Sequence, residues 1–419
     1  MGILRTLLRS AFVLLVSTIL LFSKDSLSLS PVEELAKAHL YSLVQWEMEN
    51  FLDKGLYRAR LLLTGNDLGA QARTDLVLEY FRLGNQEGDL KGRIERATYS
   101  SPTDDNYSLD ALKKDLARVE KARGSMRNRV EEVLEGQIDA VIAREKLPLG
   151  GPLSSLGVHL PPVDFRFDSS PRVLVVSPRD RIEMAQGILL RPDITLEEME
   201  ALERRVMEEE NLSALVEGTG EVATYPSVIS PGFSLRDALS VAAHEWLHHY
   251  LFFRPLGQTY GKNGDMTSLN ETLAGIFGQE IGGLVYRRFY EAPVALRVSR
   301  REEGFDFRAE MHKTRLQVEQ LLKEGRVEEA EEYMEQQRRL FAEQGYLIRK
   351  LNQAYFAFHG TYGDDPSSIS PIFDQLSALR AASPSLGEFV RQVSSVSSYT
   401  DFLELLDGES GMGGIFPPP

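Results

Sequence analysis

The chain has 419 residues, with 47 Lys and Arg against 62 Asp and Glu, a net charge of −15 and no cysteine. Its 42% hydrophobic and 26% charged residues are those of an ordered globular protein, long enough for roughly two or three cores. The acidic balance argues against a nucleic-acid partner, and the absence of Cys excludes disulfides, Cys-based zinc sites and a lipoprotein anchor.

The N-terminus reads as a targeting segment, residues 1–30. Arg5 and Arg9 precede an apolar run from Ala11 to Phe22, and Lys24 and Asp25 follow it. A spanning helix needs about 20 residues. Counted from Leu7, with Arg9 reaching back to the interface, the run is just long enough to serve as a retained signal-anchor. The rival is a cleaved signal peptide, with Ser26-x-Ser28 as its small-x-small site. In either case the Arg residues stay cytoplasmic and residues 31–419 are exported, so the membrane is an expected partner through this segment.

Residues 31–146 read as a helical region. Tyr41, Leu43, Val44, Trp46, Phe51 and Leu56 form an amphipathic start, and Leu109 to Arg144 is a long charged helix. The Gly/Pro-rich stretch Leu147 to Pro162 marks a domain boundary. Strand signals follow at Val163 to Phe167 and Arg172 to Ser177, then a helix at Thr195 to Glu210. Ala214 to Ser230 reads as β, with Gly218, Thr219 and Gly220 at its centre and Pro226 near its end, either as an ordinary hairpin or as an edge strand.

The segment His244-Glu245-Trp246-Leu247-His248 is a full HExxH match. On a helix, residues four apart share a face, so both imidazoles can hold one divalent metal, with Zn²⁺ as the usual occupant. Glu245 is rotated off that pair, yet stays close enough to take a proton from the attacking water. Ser234 and Asp237 cap a helix that runs to Phe253 and is apolar nearly all round, as befits a buried helix. His249 points about 100° away from the pair.

A third ligand has to be His, Asp or Glu. Glu271 is the candidate, in Asn270-Glu271-Thr272-Leu273-Ala274 on a second helix from Thr267 to Tyr290. In line with it stand Ala274, Gly275, Gly278 and Gly282. Glycine inside a helix costs about 1 kcal/mol, so this stripe predicts close approach of another backbone, with the HExxH helix as the obvious neighbour. The alternative use of Glu271 is a capping box with Ser268. Glu280 is the second choice, either as ligand or as a partner orienting a ligand His.

HExxH followed by Asn-Glu-x-x-Ala on a second helix resembles the gluzincin metallopeptidases, the group of thermolysin and the zinc aminopeptidases. The match covers Ser234 to Gly283, with 22 residues between His248 and Glu271. The resemblance implies one Zn²⁺ per chain held by His244, His248 and Glu271, with Glu245 as general base. It also implies an edge strand that pairs with substrate backbone, here within Ala214 to Ser230, and a downstream Tyr or His that stabilises the oxyanion. Leu351-Asn352-Gln353-Ala354-Tyr355 leads to His359-Gly360-Thr361-Tyr362, making Tyr362 the first choice and His359 the second. The Asn-x-Ala segment before a Tyr is similar to a group of predicted bacterial aminopeptidases in this clan. The bland reading is a Tyr-rich core helix ending at Gly360. An aminopeptidase also needs an acidic group for the substrate amine, for which Glu217 and Glu221 are candidates.

The expected architecture is α+β and predominantly α-helical. A zincin-like core with a small sheet occupies 147–290, and a C-terminal helical region at 291–419, with a hairpin at Glu324-Gly325-Arg326, completes the cleft. The expected function is zinc-dependent hydrolysis of peptide bonds on the extracytoplasmic side of the membrane. The alternatives are a non-catalytic envelope scaffold with a structural metal, and an amidohydrolase acting on a non-peptide substrate.

Overall fold

A computed structural model describes residues 29–43, 45–47, 50, 54, 56–57, 68–99, 109–145, 147, 161–219, 221–222, 224–291, 305–363 and 365–409. The protein is α+β and predominantly helical, with two three-stranded sheets among the described residues.

Helix α1 (Pro31–Ala36) starts at a capping box formed by Ser30 and Glu33. Two long helices, α2 (Ala70–Tyr99) and α3 (Leu109–Ile142), run antiparallel. The ion pairs Arg123–Glu87 and Lys91–Glu120 fix their register. A Cβ at Gly84 would stand 2.7 Å from the Arg123 guanidinium, so a larger residue there would make that side chain shift.

Strands β1 (Phe165–Phe167), β2 (Arg172–Pro178) and β3 (Gln186–Leu190) lead to α4 (Leu196–Glu210), which Thr195 and Glu198 cap reciprocally. Then come β4 (Leu212–Gly218), β5 (Glu221–Val222) and β6 (Ser227–Ile229). The first sheet has the order β3-β2-β4, all antiparallel. Both its faces are covered, which explains the unbroken apolar run in β2. Leu174 and Val176 pack with α1 and α4, while Val173 and Val175 face Ala354 and Leu215. The second sheet has the order β1-β6-β5, parallel and then antiparallel. Strand β3 lay outside the sequence-based assignment. Its one clean alternation is interrupted by Gly187, and pairing along β2 supplies what its propensity lacks.

Helix α5 (Leu235–Leu251) carries the HExxH segment, and Ser234 caps it by accepting from the Asp237 N–H. After the short α6 (Pro255–Gln258) comes α7 (Gly264–Phe289), capped by Asn263. Ser268 therefore lies inside α7, and the alternative capping box from Ser268 to Glu271 does not form. The chain continues through α8 (Phe307–Lys323) and α9 (Val327–Glu343), a hairpin turned at Gly325 with φ 73°. It ends with α10 (Gln353–His359), α11 (Ile372–Ala382), α12 (Leu386–Ser394) and α13 (Tyr399–Glu409).

The main core is shared by parts of the chain far apart in sequence. Tyr80 and Val130 from the α2–α3 hairpin, Phe165 of β1, Trp246 of α5, Phe277 of α7 and Phe389 and Phe402 near the C-terminus belong to one buried cluster. The sequence boundaries at 146/147 and 290/291 thus do not separate independent cores.

The expectation of a transmembrane signal-anchor is corrected. Among the described residues no helix is long and apolar enough to cross a membrane. The run Ala11 to Phe22 lies outside the described residues.

Candidate metal centre

Helices α5 and α7 lie against each other over most of their length, and the glycine stripe explains how. A Cβ on Gly278 would fall 2.6 Å from the Ser240 carbonyl and 2.9 Å from His244 Cβ. One on Gly282 would fall 2.6 Å from the Ser240 backbone nitrogen. No other residue leaves room for the two backbones at this separation. Gly275 departs from the expectation, since it has no neighbour within 4 Å of where its Cβ would be. Trp246 pins the same interface, with its ring stacked on Phe277 and its indole N–H donating to Pro161 O at 2.7 Å.

This approach brings three side chains together. His244 Nε2 and His248 Nε2 lie 2.9 Å apart, and Glu271 Oε2 stands 3.5 Å from each. Glu245 Oε1 is further off, 3.9 Å from His244 Nε2. The ligand atoms of His244, Glu245 and His248 also lie within 4.8 Å of one another. Donors bound at about 2.0–2.1 Å around a tetrahedral ion are roughly 3.3–3.4 Å apart. Glu271 meets that spacing to both rings, and the two rings would part by roughly half an ångström to meet it as well. Two imidazoles and one carboxylate are the donor set of a catalytic zinc site, which keeps a fourth position open. The residues present fit a zinc ion.

Two residues that the sequence reading gave no role complete the site. Asn270 Oδ1 accepts from His248 Nδ1 at 2.9 Å, which turns Nε2 toward Glu271 and His244. Tyr260, in the connection between α5 and α7, donates its hydroxyl to Glu271 Oε1 at 2.7 Å. Asn270 was visible beside Glu271 in the motif. Tyr260 was not, because its role depends on the loop folding back over the site.

The electrostatics follow from burial and these contacts. Burial is the largest single influence and pulls His248 down, but Glu271, Glu245 and the Asn270 contact together push the ring up to about 9. Burial would raise Glu271, yet His248 and His244 hold it well below the usual carboxylate range. Burial and then the charge of Glu271 push the Tyr260 phenol up, so it keeps the proton it donates. His249 points away from the pair, as its position on the helix predicts. Burial takes it down to about 4, so it is neutral and its Nε2 donates to Thr224 O at 2.8 Å. Thr224 in turn donates to the buried Glu47.

Glu280 is neither ligand nor orienting partner. It forms a two-pronged ion pair with Arg380 at 2.6 and 2.9 Å. The reason is geometric: nine residues beyond Glu271, at about 100° per residue, put it on the opposite side of α7. His359 is the last residue of α10 and Tyr362 lies just beyond it. The N–H of Gly363 donates to Thr272 Oγ1 at 3.1 Å, so the loop carrying Tyr362 is tied to the turn of α7 that carries Glu271. A Cβ at 363 would fall 2.6 Å from that oxygen, so the tie requires glycine. His359 packs on Tyr355, with ring centroids 4.2 Å apart, and its Nδ1 lies 3.8 Å from Asp365 Oδ2.

The strand expectation divides. Strand β4 is at a sheet edge, but its outward backbone groups are taken by side chains. Val216 N–H donates to Glu203 at 2.7 Å, Val216 O accepts from Arg349 at 3.0 Å, and Ala214 O accepts from Asn352 at 2.9 Å and Lys350 at 3.0 Å. It cannot pair with another chain at these positions. Glu217, one of the two candidates for a substrate amine, sits on this strand, partly exposed. Glu221 lies on β5, an edge strand of the second sheet that, like β6, contacts α5.

No family model matches the chain, and neither a curated protein nor a solved structure matches it.

Proposed function

We propose that this chain is a zinc-dependent peptidase of gluzincin type. The observation that carries the proposal is the convergence of Glu271, from a second helix, on the Nε2 atoms of His244 and His248, with Glu245 set apart from that trio. A merely structural site has no use for a fourth, buried acid beside its ligands.

In this reading His244, His248 and Glu271 hold one Zn²⁺ per chain. Zinc, when bound, supplies Lewis acidity, polarising the scissile carbonyl and making water easier to deprotonate. Glu245 takes the proton of the attacking water and passes it to the leaving amine. Asn270 fixes the His248 tautomer, and Tyr260 restrains Glu271 to one carboxylate orientation. The oxyanion is stabilised by a hydroxyl or imidazole donor. Tyr362 and His359 are the candidates for that role, since the one hydroxyl proton of Tyr260 is donated to Glu271. The substrate is a peptide or protein. Arg5 and Arg9 ahead of the apolar run support export of the rest of the chain, so the reaction is placed outside the cytoplasm.

Metal analysis of the purified protein, combined with cleavage of a peptide library read by mass spectrometry, tests the proposal. We expect one zinc per chain and cleavage that a chelator abolishes and added zinc restores. Cleavage indifferent to chelation, or no zinc uptake at all, would contradict it.

A further inference from the structure

Resting on the peptidase reading, we propose that Glu47 and His249 are positioning residues that together hold the edge strand β5 against the metal helix α5, where a bound peptide is received.

The two sheets have four edges, and three are taken. The β3 edge bonds to the chain at 39–41, with the Tyr41 N–H donating to Leu189 O at 2.9 Å and the Arg191 N–H to His39 O at 2.8 Å. Side chains close β4, and Glu131 and Glu135 close β1. Among the described residues nothing closes β5 in this way, and β5 touches α5. An unguarded edge is a liability, so one kept beside a metal centre marks a place for a peptide backbone.

Strand β5 does not fix its own place. It pairs with β6 at two positions, Glu221 with Ile229 and Val222 with Val228. The connection to β6 is bolted down instead. His249 Nε2 donates to Thr224 O at 2.8 Å, and its ring stands edge-on to Tyr225 with centroids 5.0 Å apart. The Thr224 hydroxyl and the Tyr225 N–H both donate to the Glu47 carboxylate. The Tyr225 hydroxyl donates to Pro162 O at 2.9 Å. Since His249 follows the ligand His248 directly, this tether ends on the helical turn that carries the metal ligand.

Glu47 is itself held from both sides in sequence. The Trp46 indole N–H donates to Asp168 at 2.8 Å, and Asn50 Nδ2 donates to Trp46 O at 2.9 Å. Lys54 Nζ reaches Glu135 at 2.5 Å and Asp164 at 2.7 Å. Trp46, Glu47, Asn50 and Lys54 are all buried. Burying a carboxylate is costly unless it gains partners, and an apolar residue would pack this segment at least as well. The partners Glu47 gains come from the β5–β6 connection, so the contact serves the placement of that connection.

The test uses the zinc-loaded full chain. Hydrogen exchange of the amides at 221–229 is read without substrate, and cleavage is read on the fastest-cleaved member of a fluorescence-quenched decapeptide library. Glu47→Ala should speed exchange at 221–229 roughly tenfold, the scale of one lost hydrogen bond to a charged group. Exchange at 372–409 and zinc content should not change. The substrate then has to re-order the strand, so KM should rise by about the same factor with kcat within about twofold. Glu47→Gln, whose amide oxygen can still accept from Thr224, should restore both to within about threefold. His249→Phe should repeat the loss, and His249→Gln, whose amide N–H can replace the ring donor, should restore it. If Glu47→Ala does not fold, Thr224→Val, which removes the hydroxyl and keeps the shape, decides in its place. Protection at 221–229 that survives these losses overturns the tether. Lost protection with KM unchanged overturns its part in substrate binding, and so does a variant that sheds zinc. The two readings fail separately. A parent that holds zinc and cleaves no peptide refutes the peptidase and with it the role in substrate binding, whereas the exchange data alone decide the tether.

Discussion

His248 is held at both ring nitrogens, by Asn270 at Nδ1 and by the metal-site partners at Nε2. Asn270→Ala removes the acceptor that fixes the ring and its tautomer. We expect zinc affinity, measured by competition with a chromophoric chelator, to fall roughly 10- to 100-fold while the fold persists. Unchanged affinity would show that Asn270 does not orient the ligand. A second residue-scale prediction concerns Glu131 of α3. Its carboxylate accepts from the Phe167 N–H at 2.8 Å and lies near Lys54, Arg166 and Glu135, all buried. Burial dominates and pushes Glu131 up to about 7. A carboxyl that binds its proton more tightly when folded stabilises the fold less as pH rises through that range. Glu131→Gln, whose amide oxygen can still accept from Phe167, should therefore flatten the loss of stability from about pH 4.5 to about 7 in urea titrations. A steeper loss would reverse the sign. Among the site residues, His244 and His248 were legible from helical spacing, with Glu245 between them, and Glu271 from its Asn-Glu-x-x-Ala context and the small-residue stripe on a second helix. Tyr260 was not legible, because its contact is made by a loop whose path no local pattern specifies.

The α5–α7 pair shows what a stripe of small residues means when it is real and when it is not. Gly278→Leu should lower stability by about 1–3 kcal/mol, since the added atoms collide with the Ser240 backbone and His244. It should also disturb zinc binding by displacing His244. Gly275→Ala, which meets nothing within 4 Å, should gain up to about 1 kcal/mol of helix propensity. Urea midpoints of the two variants separate these outcomes, and equal effects would mean that the helices are not packed at Gly278. The helices themselves were readable from caps and periodicity, as at Ser234 with Asp237 and over Thr195 to Glu210. Strand β3 and the fate of the β4 edge were not, because both are set by partners distant in sequence. Glu203, Arg349, Lys350 and Asn352 close the β4 edge from two other elements. Strand β1 is closed likewise, with Glu135 accepting from the Phe165 N–H at 3.2 Å and Glu131 from that of Phe167. Side chains standing in for a missing strand are one way to protect a sheet edge from unwanted pairing.

Across the whole molecule, the long hairpin, the metal-site helices and the C-terminal helices bury one continuous cluster. Composition indicated enough apolar residues for such a core but not which segments would share it, so the sequence-based division into regions did not anticipate the joint packing. The same packing connects distant parts to the site. Arg123 of α3 donates to the Pro231 carbonyl just ahead of the α5 cap, and Arg380 of α11 grips Glu280 of α7. Zinc held by both α5 and α7 should therefore stabilise the folded state by mass action, and its removal should lower the thermal midpoint. The central claim is that a metal site built by two helices is also a catalyst, and Glu245→Gln tests it most directly. The substitution keeps the buried shape and leaves His244, His248 and Glu271 intact, but the amide cannot take a proton from water. Zinc content and peptide cleavage should be measured on the same preparations of parent and variant. The account predicts one zinc per chain in both, with cleavage by the variant lower by roughly 10²- to 10⁴-fold. A variant that cleaves as fast as the parent, or a parent that holds zinc and cleaves no peptide, would contradict it.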